Sequence, residues 1–436
     1  MIPPIPRRCF LRAAAGLGVL SFLPAGFAAG PRRVYAAGAL VDSIGANVHL
    51  SYSDTVYGRF DDIIYPLLLE SGIRHVRDGI PTDPKANADM WLFQRGRKLV
   101  AQGIRFSCVT TDEDWAYGAT DLDRLEQAVE WYGSGVEFLE GSNEPNYSKN
   151  PLWPQISAAA QRRLYARVKN SPKLRHIDVL GPSYWGPTGA PAGDLSDAMD
   201  YGNIHSYPGG RHPETPREGS LDFYVKGAAI NCGGKPLVAS ETGYHAALQT
   251  RREHPPASEP IIVRYLPRLV LWYFMHGIKR TYLYEFADSH DRGPDDQESN
   301  FGLVTAGGQR KPRFHAIKNL IALFADTGAA GAAQALDYSI GPDSADLYSV
   351  NFQRSNGDYL LAVWLGVSGW DIGTKTELPP TTRDVVLTLP QPMMLAEIHN
   401  FNVDGGVAID RPKRLAPQFP LRVSDSLAVL RLRRPG

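Results

Sequence analysis

Cysteine is scarce in this chain, three residues in 436, and no two of them form a CxxC pair; an HExxH run is also missing. Those absences exclude a disulfide-framed mini-domain, a zinc ribbon and a zinc-protease helix. Charge of one sign is not in excess either, since 46 Lys and Arg face 46 Asp and Glu. Nucleic acid, whose phosphates demand a basic stripe, is therefore not an expected partner. No apolar run reaches the ~20 residues that cross a bilayer. The nearest candidate, at the N-terminus, is broken by Gly and Pro, so no stable membrane span is expected.

That N-terminus reads "PRRCFLRAAAGLGVLSFLPAGFAAG". Paired Arg7-Arg8, a following apolar run and small residues around Ala28 and Ala29 match a twin-arginine export signal over residues 1–29, with a periplasmic or secreted destination. Cleavage removes Arg7, Arg8, Arg12 and Cys9 and no acid, so the mature chain is weakly acidic. Cys108 and Cys232 remain, expected as unpaired buried thiols. The sequence carries no signal for oligomeric state.

From residue 45 short apolar runs alternate with amphipathic stretches. The runs are 45–50, 73–77, 104–110, 136–141, 177–182, 201–207, 236–241 and 280–286; helical patterns occupy 60–71, 86–102, 121–133, 157–170, 194–200, 220–230, 260–277 and 312–326. Eight strand–helix units without a Gly-rich first turn predict a (β/α)8 TIM barrel over 30–335. After residue 335 the period becomes 2, in "DLYSVNFQR", "DYLLAVWLGV" and "SLAVLRLRR", with turns such as "SNGD" between. A C-terminal antiparallel β-sandwich domain is expected over 336–436.

Barrel chemistry gathers where strands end. The ends present His49, Arg77, Asn143-Glu144, His205, Tyr207, Glu241 and Tyr284-Glu285. Two carboxylates, Glu144 and Glu241, face one mouth, the pairing that cleavage of a glycosidic bond requires. Arg77 and the Tyr207 hydroxyl are placed to keep Glu241 ionised. Glu144, beside neutral Asn143, is expected to have the higher pKa. Each residue also has a plain role: Arg77 precedes Asp78, an ordinary ion-pair partner, and His205 suits a hydrogen-bonded core histidine. Their joint register at strand ends favours the catalytic reading.

Aromatics in the loops after these strands suit stacking on sugar faces: Trp115 and Tyr117, Tyr147 and Trp153, Tyr184 and Trp185, and Tyr244. Asp288, Asp291, Asp295 and Asp296 lack calcium-loop spacing, so neither metal nor cofactor is expected.

"EGSNEPN" and "PLVASETGYH" resemble the strand-four and strand-seven motifs of clan A retaining glycoside hydrolases. With "NIHSYP" and the attached sandwich they are most similar to family 39-type enzymes, which include β-xylosidases, α-L-iduronidases and exopolysaccharide hydrolases. The resemblance spans about residues 40–326. It implies Glu144 as acid/base, Glu241 as nucleophile, Asn143 on the sugar 2-hydroxyl, and matching positions for Arg77, His205 and Tyr207; Tyr284, Glu285, His49, Trp115 and Trp185 are further substrate-contact candidates from their places at the strand ends and in the loops. Where the clan places a tryptophan at the end of strand eight, this chain has "YLYEF". The implied activity is retaining hydrolysis of a β-linked oligo- or polysaccharide. A transglycosylase using the same residues and an inactive polysaccharide-binding barrel are the alternatives; the second is expected to lack one glutamate.

Overall fold

In the computed structural model, residues 33–116, 118–216, 219–251, 254–328 and 334–435 are described. The export signal and Tyr117 lie outside them. The chain enters through β1 (Val34–Ala36) and α1 (Ala37–Asp42). It then builds β2 (Ile44–Asn47), α2 (Tyr65–Ser71), β3 (His75–Gly79), α3 (Trp91–Val100), β4 (Arg105–Val109), α4 (Leu125–Tyr132) and β5 (Val136–Glu140). There follow α5 (Trp153–Asn170), β6 (Asp178–Leu180), β7 (Gly202–His205), α6 (Leu221–Cys232), β8 (Leu237–Thr242), α7 (Glu259–Met275), β9 (Thr281–Leu283) and α8 (Pro312–Phe324).

Strands β2 to β9 are parallel, in the order β6-β5-β4-β3-β2-β9-β8-β7, and the Leu180–Tyr201 bridge joins the two ends into a barrel. Phe138, Leu180, Val238 and Tyr282 fill its interior. Tyr282 fits because Gly45 opposite has no side chain; a β-carbon there would stand 2.4 Å from the tyrosine ring. All eight expected barrel strands form, several trimmed at their ends. Two helices differ from expectation. The pattern at 60–71 opens with a π-helical turn, Phe60–Ile64, before α2. The pattern at 194–200 yields a single 3-10 turn, Ser196–Ala198. That segment is too short to repay helix nucleation, and Asp194 caps the Ser196 N–H instead. Cys108 and Cys232 are buried free thiols. Among the described residues, no helix is long and apolar enough to cross a membrane.

The C-terminal unit contains β10 (Ser339–Gly341), β11 (Leu347–Gln353), β12 (Tyr359–Leu365), the β13–β14 hairpin (Trp370–Asp371, Thr376–Glu377), β15 (Thr382–Phe401), β16 (Val407–Asp410), β17 (Arg414–Ser424) and β18 (Ala428–Arg433). Its sheet runs β1-β11-β12-β18-β15-β10, with β16 and β17 also on β15. β1 joins it in parallel through β11, so residues 34–36 belong to this sheet although they precede the barrel. β12 is buried on both faces: Leu360, Ala362 and Trp364 pack with the barrel's core, while Tyr359, Leu361, Val363 and Leu365 face the sandwich interior.

A buried ion pair fastens the two units. Glu214 accepts from Arg268 Nε at 3.1 Å and from Trp364 Nε1 at 2.6 Å, and Arg268 Nη1 reaches the Asp425 carbonyl at 2.9 Å. Burial works to raise the Glu214 pKa, but Arg268 and His212 outweigh it and bring the carboxyl down to about 2. A depressed carboxylate contributes stability that is complete above its unfolded pKa, near 4.5, and is lost as pH falls toward 2. Denaturant titrations across that window should show a loss on the order of 3 kcal/mol from this group. Glu214→Gln should flatten that acid limb and cost about 3–5 kcal/mol at neutral pH, because Arg268 is left buried without its counter-charge.

Candidate active site

The run leaving β5, Gly141-Ser142-Asn143-Glu144-Pro145, brings an acid to the barrel mouth in an unusual backbone state. A residue before proline is disfavoured in the right-handed helical region. Glu144 instead occupies the left-handed region, φ 44° and ψ 48°. Such a conformation costs a non-glycine residue roughly 1–3 kcal/mol and is kept only where neighbours over-determine it. The neighbours here are Ser183, which accepts from the Glu144 N–H at 2.9 Å and bridges to Asn143, and Tyr147, whose N–H reaches the Glu144 carbonyl at 2.9 Å.

Arg77, on the inward face of β3, organises the floor. Its Nε and Nη2 hold Glu140 at 2.8 and 2.7 Å; Nη1 reaches Glu241 at 2.7 Å and Asn47 at 3.0 Å; Nη2 also reaches Asn143 Oδ1 at 2.6 Å. Tyr207 OH donates to the other Glu241 oxygen at 2.7 Å. Asp78 is not the partner of Arg77. It accepts from the backbone N–H groups of Leu50 and Gly79, both at 2.8 Å. The strand's alternation sends the two side chains to opposite faces.

Glu144 and Glu241 approach through His205. The imidazole Nδ1 stands 2.7 Å from Glu144 Oε1 and 3.5 Å from Glu241 Oε2, and Nε2 meets Ser240 Oγ at 3.1 Å. One oxygen of each carboxylate and the imidazole nitrogen all lie within 4.8 Å of one another. This spacing suits a cation, but Arg77 and His205 already supply positive charge to both carboxylates.

The expectation that Glu144 has only the neutral Asn143 beside it is overturned, because His205 meets it. Burial pushes the Glu144 carboxyl up, but the hydrogen bond and charge of His205 outweigh it and hold the group below its ordinary value. Burial opposes a charged His205, yet Glu241 and Glu144 together lift the imidazole above its usual range.

Strand ends gather Arg77, Asn143, Glu144, His205, Tyr207 and Glu241 into one network. Tyr284 joins it through ring contacts, 6.4 Å from Tyr207 and 6.2 Å from His49, and donates to Glu298 at 3.1 Å. Glu285 turns away to meet His49 Nε2 at 2.9 Å, and burial, partly offset by that histidine, raises its carboxyl to about 7. Glu285 is 2% exposed, so it offers a ligand almost no surface of its own. Trp115 and Trp185 stand on the rim, 44% and 38% exposed, and among the described residues neither bonds to the carboxylates.

Sequence reasoning missed Glu140, Asn47, Ser240 and Glu298. Glu140 is wholly buried, and its Oε1 also accepts from Ser240 Oγ at 3.1 Å. A signal existed: Glu140 shares the inward register of Phe138 in "VEFLE", where an acid needs a buried cation.

No family model and no curated protein matches this chain. Solved structures do match in fold. A family 39 glycoside hydrolase from Bacteroides cellulosilyticus WH2 superposes with a TM-score of 0.60 at 17% identity, over 91% of this chain and 82% of its own. A glucosidase from Croceicoccus marinus gives 0.57 at 13% identity, over 90% and 96%. AbfB, a family 51 α-L-arabinofuranosidase from Bifidobacterium longum, gives 0.54 at 11% identity, over 93% and 97%. The chain shares the barrel-and-sandwich fold of these glycosidases.

Proposed function

We propose that this protein is a retaining glycoside hydrolase acting on a β-linked glycan, with Glu241 as nucleophile and Glu144 as acid/base. One observation carries the reading: two carboxylates at the ends of β5 and β8 with oxygens within 4.8 Å. Retaining enzymes space these groups at about 5–5.5 Å so that one attacks carbon directly, whereas inverting enzymes leave about 6.5–9.5 Å for a water. The fold shared with glycosidases and the presence of both glutamates speak against an inactive barrel.

The two carboxylates have different surroundings, and these suit different steps. Glu241 takes hydrogen bonds from Arg77 and Tyr207, one on each oxygen, which fix its orientation. Asn143 has its carbonyl oxygen committed to Arg77, so its NH2 is the end available to a sugar 2-hydroxyl. Glu144 must carry a proton to the leaving oxygen. A bound sugar strips the remaining water from it and raises its pKa toward that state. As the proton leaves, the His205 N–H stabilises the carboxylate that forms. In the second half-reaction the lowered pKa suits a base that activates water.

The test is turnover of a panel of defined oligosaccharides, with products read by mass and the first-formed anomer by NMR. The expected result is cleavage of at least one β-linked member with its configuration kept. Inverted product would remove the nucleophile role from Glu241.

A further inference from the structure

The acid of a glycosidase protonates the oxygen that links the cleaved sugar to the next one, so the next sugar lies past Glu144, on the side away from Glu241. Both segments that fix the Glu144 backbone end in an exposed aromatic. Tyr147, whose N–H bonds the Glu144 carbonyl, is 75% exposed; Trp185, two residues after the Ser183 that accepts from the Glu144 N–H, is 38% exposed. Their rings stand 6.3 Å apart at 60°, an angled wall.

This wall is fastened in place. Asn146, two residues after Glu144, accepts from the Trp185 N–H at 2.9 Å and donates to the Trp185 carbonyl at 2.8 Å and to Thr188 Oγ1 at 2.5 Å. Trp185 also bridges to His205 in parallel, and Asn150 donates to Asp114 at 2.8 Å, tying the Tyr147 loop to the neighbouring one. One amide therefore holds the aromatic wall in register with the acid, and His205 touches both.

Resting on the hydrolase reading, we propose that Trp185 and Tyr147 form the stacking platform for the leaving-group sugar, a pyranose with an apolar C–H face. Asn146 is the positioning residue that locks this platform to Glu144. The platform also receives an acceptor sugar during transfer. Stacking over a rigid aromatic face gives such a site affinity without ordering a mobile side chain.

The experiment compares two substrates of the sugar identified by the panel: its β-linked trisaccharide, which fills the platform, and its glycosyl fluoride, which does not. The expected result is an about tenfold fall in the ratio of kcat/KM on the trisaccharide to that on the fluoride for Trp185→Ala, carried mainly by KM. Trp185→Phe should recover most of that ratio. Asn146→Ala should lower it in the same direction, and Asn146→Asp, which keeps the acceptor for the Trp185 N–H, should lower it less. A ratio that stays at the wild-type value in Trp185→Ala and Tyr147→Ala overturns the platform while leaving the hydrolase reading intact. Wild type that turns over neither substrate class overturns both.

Discussion

Glu241→Ala is expected to be without measurable hydrolysis on any substrate, whatever its leaving group. The reason is the division of labour in a double displacement. A nucleophile forms the new bond to carbon in every turnover, so a better leaving group does not replace it. The loss should exceed the roughly 10²–10⁴-fold range of a general acid/base contribution. Stability should change little in the harmful direction, because Arg77 keeps Glu140 as its buried counter-ion. An unfolding midpoint close to wild type, measured beside the activity, separates this chemical loss from misfolding. Residual activity on an activated aryl glycoside at a tenth of wild type would contradict the assignment.

Glu144→Ala should behave differently on different substrates. On a natural glycan, whose departing alkoxide needs a proton, the rate should fall by about 10²–10⁴-fold. On a 2,4-dinitrophenyl glycoside the first step needs no proton, so the glycosyl-enzyme should form readily and accumulate. Azide should then restore turnover by attacking that intermediate without a base, and the product should be a β-glycosyl azide. If azide instead yields the β-glycosyl azide from Glu241→Ala and the inverted α-azide from Glu144→Ala, the two roles are exchanged. His205 enters here as well. Removal of Glu144 leaves Glu241 as the nearby acid, so the imidazole loses one of the two charges that raise it, and its titration should move down.

The barrel was legible because strands covered on both faces must be apolar and their helices periodic, and both patterns survive in a single chain. The candidate carboxylate pair was legible for a related reason: each glutamate follows or closes an apolar run, where burial makes an unpaired acid costly. Contacts between strands distant in sequence were not legible. His205 and Glu144 are 61 residues apart, and only the convergence of β5 and β7, which flank β6, on one barrel mouth brings them to 2.7 Å. The reading of Glu144 from its chain neighbour Asn143 alone missed the His205 contact for that reason. Arg77 was read with Asp78 as a possible partner, whereas pleating turns the pair apart and gives the guanidinium to Glu140, 63 residues on. β1 escaped notice because three residues carry no period, and its place is set by pairing with β11. The helix expected at 194–200 failed on length and on a capping Asp.

The central claim is that Glu241 attacks the anomeric carbon. Its most direct test is to incubate the protein with the 2-deoxy-2-fluoroglycosyl fluoride of the sugar it cleaves, digest it, and locate the added mass by peptide sequencing. The fluorine at C2 slows both formation and breakdown of the intermediate, and the good fluoride leaving group restores the rate of formation alone, so the ester accumulates. The expected result is a single sugar ester on Glu241, within the peptide that contains "ASETGY", with activity lost in proportion to labelling. An ester on Glu144, or an unlabelled protein that releases product of inverted configuration from the parent glycan, would contradict it.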